Sequence, residues 1–293
     1  MKQVMYIESY RKDIINMLNK MNFQCNAEWP VFIDVHTNKH IRVLIDKFDT
    51  SPIRRGEIRI VVVHEEKSKI RDHIDVYPKD YDYVLTYRKE ILDNNPKARY
   101  FMGVTPFCLP NPDMIKKFAI STIVSGRLNN EGHCLRHELW RRRDEIKIPK
   151  DFYLSSNKDT IFDEADYNKE KVLRHNNNRF DGKTDVMDCM FHIAIETISC
   201  WGNFSEKLID CLLTKTVPVY WGCHNVGDYF DEKGIIQCSN VDEIIQACNS
   251  LTEKDYWDRK PSIDCNYDNA LKHFDFGESL SLTIQQILDN ERI

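Results

Sequence analysis

The stretch from Phe191 to Gly222, FHIAIETISCWGNFSEKLIDCLLTKTVPVYWG, constrains the fold more than any other part of the chain. Phe191 to Ile195 reads as a buried strand that ends by presenting Glu196, and Ser205 stands where a helix N-cap belongs. Leu208, Ile209, Leu212 and Leu213 then recur at three- and four-residue spacing, and Val217, Val219 and Tyr220 open a second buried strand. Two apolar strands joined by an amphipathic helix predict a parallel βαβ unit. Further apolar runs at Val31 to Val35, Ile58 to Val63, Tyr83 to Thr86, Ala119 to Val124 and Ile235 to Ile236 read as strands. Arg11 to Lys20, Cys134 to Glu145, Val241 to Leu251 and Leu280 to Asn290 carry helical periodicity. This alternation predicts an α/β protein with open parallel sheets. Three prolines in TPFCLPNPDMIKK, Thr105 to Lys117, interrupt the pattern. They divide the 293 residues into an N-terminal domain, 1–112, and a C-terminal domain, 113–293, whose last helix is expected to pack back on the first. Each half is expected to be Rossmann-like, with the strands' carboxyl ends facing a central cleft where ligands gather.

Charge and composition exclude several functions. Lys and Arg total 41 against 46 Asp and Glu, a formal net charge of -5, which offers no general attraction to nucleic acid. The ten cysteines are dispersed without a CxxC pair and are expected to be reduced core residues. The amino-terminal sequence shows no apolar h-region, and Ile58 to Val63 carries Arg59 and falls far below the roughly 18 residues that span a bilayer. A cytoplasmic, unanchored protein is expected. Asp80-Tyr81-Asp82 has a metal-binding Asp-x-Asp form but opens a strand, Asp275-Phe276-Gly277 lacks the other kinase motifs, and the histidines are read as forming neither an HxxxH nor an HExxH pattern, so no metal site is expected.

Three places carry chemistry. Glu206 and Lys207 fall in the first turn of a helix, where backbone N–H groups favour an anion. Lysine there opposes the dipole by a few tenths to about 1 kcal/mol, which a bound phosphate would offset. Glu206 is suited to ribose hydroxyls and Lys207 to a pyrophosphate. In VSGRLNNEGHCLRHELWRRRDEI, Ser125 and Arg127 leave a strand end and Arg136 is placed in the first turn of the next helix. Its planar fork suits oxyanions, each charge-assisted bond contributing about 1.5 to 3 kcal/mol. Arg141, Arg142 and Arg143 read as a solvated helix end. In the first half, Ile58 to Val63 runs into His64-Glu65-Glu66, which puts carboxylates at a strand's carboxyl end, where one could act as a general base.

These segments together resemble the α-1,3/1,4-fucosyltransferase family, glycosyltransferase family 10. Its signature runs F-x-x-x-F-E-N, a short loop, T-E-K, an apolar helix and I/V-P-I/V-Y-W-G; here it stands as FHIAIET, SEK at Ser205 to Lys207, and VPVYWG at Val217 to Gly222. FAISTIVSGRLNNEGHCLRHELW is similar to the family's strand ending in S-N-P followed by R-N-x-F, which places Arg136 on the donor-binding arginine and Ser125 and Arg127 in the turn. Asn203 takes the place of the family's aromatic residue three before the Glu of T-E-K. VVVHEE followed by DYVLTY resembles the acceptor-domain segment whose glutamate is the base, pointing to Glu65, with Glu66 beside it. The resemblance implies a GT-B fold and inverting transfer of a fucose-like sugar from GDP-fucose to a hydroxyl of a glycan or glycoprotein, with no cofactor and no metal. A related transferase using a UDP-sugar such as UDP-xylose, and a catalytically silent carbohydrate- or nucleotide-binding module, remain the alternatives.

Overall fold

The computed structural model describes residues 6–9, 40–46, 51–64, 78–155, 171–173 and 183–290. The chain forms two compact units, Met1–Gly103 with Asp275–Ile293, and Val104–Phe274. The chain therefore leaves the first unit at Gly103 instead of at residue 112. The reason is local: the backbone N–H groups of Phe107 and Cys108 donate to the Asp210 carboxylate, and that of Asn111 donates to Leu213 O, so the proline segment is bound to the second unit.

In the first unit, β1 (Tyr6–Ser9), β2 (His40–Ile45), β3 (Glu57–Val63), β4 (Tyr83–Thr86) and β5 (Ala98–Tyr100) pair in parallel in chain order. Side chains alternate across a strand, so β3 sends Ile58, Ile60 and Val62 to one face and Val61 and Val63 to the other. The first face is covered by the final helix, α7 (Phe276–Asn290), through Phe276, Leu280, Ile284, Ile287 and Leu288. The second face meets Ile91 and Leu92 of α1 (Lys89–Asn94). Burial on both faces explains the near-continuous apolar sequence of β3. Arg59 within it is buried but compensated: it pairs with Glu57 at 3.1 Å and donates to Ser51 O at 2.7 Å. The strand expected at Val31 to Val35 and the helix expected at Arg11 to Lys20 lie outside the described residues.

The second unit holds β6 (Lys117–Val124), α2 (Glu131–Arg141), β7 (Lys150–Ser155), β8 (Lys171–Leu173), β9 (Cys189–Ile195), α3 (Glu206–Leu213), β10 (Val217–Trp221), β11 (Ile236–Gln237), α4 (Val241–Ser250), α5 (Glu253–Asp258) and α6 (Lys260–Leu271). Its strands are parallel, in the order β11-β10-β9-β6-β7-β8. From β6 the chain builds outward through β7 and β8, then returns to β6's other edge for β9 and builds the opposite way. Such a reversal opens a crevice at the carboxyl ends of the two central strands. Here those strands are β6 and β9.

Among the described residues the cysteines are free thiols. Cys108, Cys189, Cys211, Cys223 and Cys248 are buried as expected, whereas Cys134 and Cys265 are exposed on helices and depart from the core reading. No helix among the described residues is long and apolar enough to cross a membrane.

Candidate active site

Two strand-to-helix loops meet at the reversal. After β6 the chain passes Ser125 and Arg127 and enters α2 behind Asn130, whose extended backbone (φ -138°) precedes the first turn. After β9 it passes Glu196 and the left-handed Gly202 (φ +69°), whose N–H donates to Asn225 Oδ1 at 2.7 Å. Ser205 then caps α3, its Oγ accepting from Lys207 N at 3.3 Å. The loops are tied together by Gly132 N donating to Thr197 O at 3.0 Å. Only glycine fits there, because a Cβ on Gly132 would lie 1.8 Å from Glu196 O.

The loops wall a cavity of about 270 Å³ lined by Ser125, Arg127, His133, Arg136, Lys183, Glu206 and Lys207, with Phe107, Ile193 and Ile195 among its apolar surfaces. Four cationic side chains against one lining carboxylate make it an anion site by charge. Arg136 is 8% exposed; its Nε donates to Gly132 O at 3.1 Å, while Nη2 is buried without a hydrogen-bond partner among the described residues. Burial lowers the guanidinium's pKa against the upward pull of Glu196 and Glu206. Helix α2 starts at Glu131, three residues before the expected Cys134, so Arg136 stands in the second turn and His133 occupies the first.

Sequence reading missed two further groups in the cavity. Lys183 pairs with buried Asp210 of α3 at 3.2 Å and lies 4.4 Å from the Phe107 ring centroid. Although burial opposes it, Asp210 and Glu206 hold that ammonium above its ordinary pKa. Lys183 sits in an unpatterned polar stretch that carries no local signal. His133 was legible: with His137 it forms an HxxxH pair on one helix face, so the reading that the histidines lack that pattern is corrected. His137 Nε2 lies 2.8 Å from Ser125 O, while His133 lines the cavity.

The expectation that Lys207 needs an anion to offset the helix dipole is corrected by its neighbours. Its Nζ lies 2.9 Å from Glu206 Oε1 and 3.8 Å from Glu196 Oε2, and donates to Ser205 Oγ at 3.2 Å. Burial alone would raise the Glu206 pKa, but Lys207 and Lys183 outweigh it and hold the carboxyl well below its usual range. Burial pushes Glu196 up instead. Glu196 accepts from Ser205 N at 2.9 Å and from Ser205 Oγ, with Tyr220 OH at 3.4 Å. It fixes the loop and the start of α3.

The structure thus brings Ser125, Arg127, Arg136, Glu206 and Lys207 to one cavity, with Glu196 directly behind it; Asn203 does not line it. Glu65 and Glu66 lie outside the described residues. Arg142 forms ion pairs with Glu138, Glu145 and Asp242, as a solvated helix end should. Asp82 Oδ2 accepts the Arg59 N–H at 2.8 Å, a structural use of the Asp-x-Asp segment. Among the described residues, Asp151, Asp188 and Cys189 are grouped closely enough to hold a metal ion, but Lys117 pairs with both carboxylates, at 2.7 and 3.0 Å, and Lys171 pairs with Asp151.

No family model matches the chain. By sequence it is 29% identical over 116 residues to the α-(1,3)-fucosyltransferase of Helicobacter pylori, a match that covers 35% of this chain and 23% of that protein. By fold it is similar to a crystal structure of an α1,3-fucosyltransferase with GDP-fucose, at TM-score 0.50 and 17% identity, covering 86% of this chain and 79% of that one. It is likewise similar to a glycosyltransferase from Rickettsia africae, at TM-score 0.57 and 11% identity, covering 95% and 79%. The resemblance to fucosyltransferases read from the motifs is thereby shown, and the fold is the α/β, parallel-sheet architecture of GT-B glycosyltransferases.

Proposed function

We propose that this chain is a glycosyltransferase that moves a sugar from a nucleoside-diphosphate donor to a hydroxyl of a glycan or glycoprotein. The observation that carries the reading is Arg136, a buried guanidinium whose Nη2 has no partner among the described residues and which lines a cation-rich cavity at the strand-order reversal. Burying such a charge unpaired costs several kcal/mol, so an anionic ligand is the natural complement.

In the finer reading, the donor is GDP-fucose and the anomeric configuration inverts. Glu65, with Glu66 as the next choice, takes the proton of the acceptor hydroxyl as its oxygen attacks the anomeric carbon from the face opposite the diphosphate. The bond to the diphosphate oxygen breaks, and charge develops where Arg136 and Lys207, with Arg127 and Lys183, stand to receive it. Base assistance of this kind typically contributes about 10² to 10⁴ in rate. The clustered side-chain cations favour leaving-group departure without a divalent ion. Glu206, held ionised by Lys207, keeps a carboxylate oxygen for a ribose hydroxyl, and the H. pylori relative's name supports fucose as the sugar.

Calorimetric titration with GDP and with UDP tests the reading. Binding of GDP well above UDP is expected, because uracil leaves the polar groups of a guanine site unmatched. Preference for UDP would move the donor to the UDP-sugar class. Binding of neither would overturn the proposal. Nucleotide binding without sugar transfer across a donor and acceptor panel would leave a silent binding module.

A further inference from the structure

The start of α2 presents more than Arg136. His133 and Arg136 are three residues apart, so they are neighbours on one helix face. Both line the cavity, at 7% and 8% exposure, and each has a buried nitrogen, Nδ1 and Nη2, without a hydrogen-bond partner among the described residues. A buried polar nitrogen left unmatched costs about 1 to 3 kcal/mol, and two such nitrogens on neighbouring side chains that line one cavity mark a site completed by a ligand.

The chemistry of that ligand follows from the surroundings. Burial, then Arg136, Arg127, Lys207 and His137, push the His133 imidazolium down to about 4, so the ring is neutral near pH 7. A neutral imidazole carries one N–H, which can sit on Nδ1. Among the four cations that line the cavity, the partner that satisfies both that N–H and the guanidinium is an anionic oxygen. A neutral donor contributes such a bond without adding a further positive charge to an already crowded site.

We infer that His133 donates a hydrogen bond from Nδ1 to the diphosphate of the donor, forming with Arg136 a two-point clamp on one face of α2. The inference rests on the glycosyltransferase reading and assigns a contact that the motif analysis leaves empty.

The test is calorimetry on the full chain with GDP and guanosine, with UDP and uridine in parallel. His133→Ala should weaken diphosphate binding about tenfold, the worth of roughly 1.4 kcal/mol, while nucleoside binding changes less than about threefold. His133→Asn places an amide N–H near Nδ1 and should recover most of the loss; its thermal melt shows whether the Ala variant fails merely by unfolding. Equal diphosphate affinity in wild type and His133→Ala, with Arg136→Met strongly weakened, would reject the His133 contact and leave the transferase reading standing. Equal losses for nucleoside and diphosphate, or a folded Asn variant no better than Ala, would also reject it. Absence of any nucleotide binding by the wild type would remove both.

Discussion

Replacing Arg136 with methionine separates a ligand-binding arginine from a structural one. Among the described residues the Arg136 guanidinium donates to Gly132 O at 3.1 Å and leaves Nη2 buried and unmatched. An unsatisfied buried donor costs about 1 to 3 kcal/mol. Methionine fills much of the same volume, so after the lost attraction to Glu196 and Glu206 the ligand-free variant should gain about 1 kcal/mol, or roughly 1 to 2 °C in Tm for a chain of this size. With GDP the order reverses. At a hundred times Kd the wild type gains about 2.7 kcal/mol. Losing two charge-assisted bonds at about 1.5 kcal/mol each raises Kd about a hundredfold, and the gain at the same concentration shrinks to about 0.4 kcal/mol. Differential scanning fluorimetry with and without GDP should therefore show the variant melting above wild type when empty and below it when loaded. A variant that melts several degrees low when empty would make Arg136 a structural residue, and one that keeps the full GDP shift would remove it from the site.

Other perturbations have defined outcomes. Gly132→Ala drives a methyl against Glu196 O and must displace α2 by about 1 Å, so urea denaturation should show a loss of about 1 to 3 kcal/mol, with weakened GDP binding; unchanged stability would contradict the close approach. Asp210→Ala strands Lys183 and frees two backbone N–H groups, and should cost about 3 to 5 kcal/mol in the same assay. Acid should destabilise the fold in a defined window. Burial lowers His192 to about 3, with Lys183 and Lys116 adding to the effect, from 6.5 in the unfolded chain. Below pH 6.5 the unfolded state binds a proton that the folded state refuses, so stability is complete above that pH and falls as pH drops toward 3, by roughly 3 kcal/mol at pH 4.5. His192→Asn should flatten this slope in chemical denaturation from pH 7 to 4.5; an unaltered slope would place the titration elsewhere.

The parts of the molecule visible in the sequence are those whose side-chain pattern answers to one dominant force. β3, β6, β9 and β10 are buried on both faces and read as apolar runs, and α3 shows its buried stripe at helical spacing. β7 was missed because KDFYLS opens with two charged residues, Lys150 and Asp151, of which Asp151 is occupied by ion pairs with Lys117 and Lys171. β8 has only three residues, and α6 spreads its buried Ser262, Ile263, Asn266 and Ala270 among polar positions. The domain junction was placed late because three prolines mark a break in secondary structure, whereas the actual division follows hydrogen bonds to Asp210 over a hundred residues away. At the site, motif positions located the cations. Their mutual neutralisation, and the entry of Lys183 and His133, depend on three-dimensional proximity that spacing does not encode.

The return of α7 to the first sheet sets an order of assembly. During translation the first five strands emerge early, yet five side chains of one face of their core, Phe276 to Leu288, are synthesised only after the whole of the second unit. The nascent amino-terminal sheet must therefore wait with an uncovered apolar face while the later segment can already fold on its own contacts, the reverse of the usual first-made, first-folded sequence. A premature stop just beyond Phe274 would spare the anion cavity and leave one face of the first sheet bare.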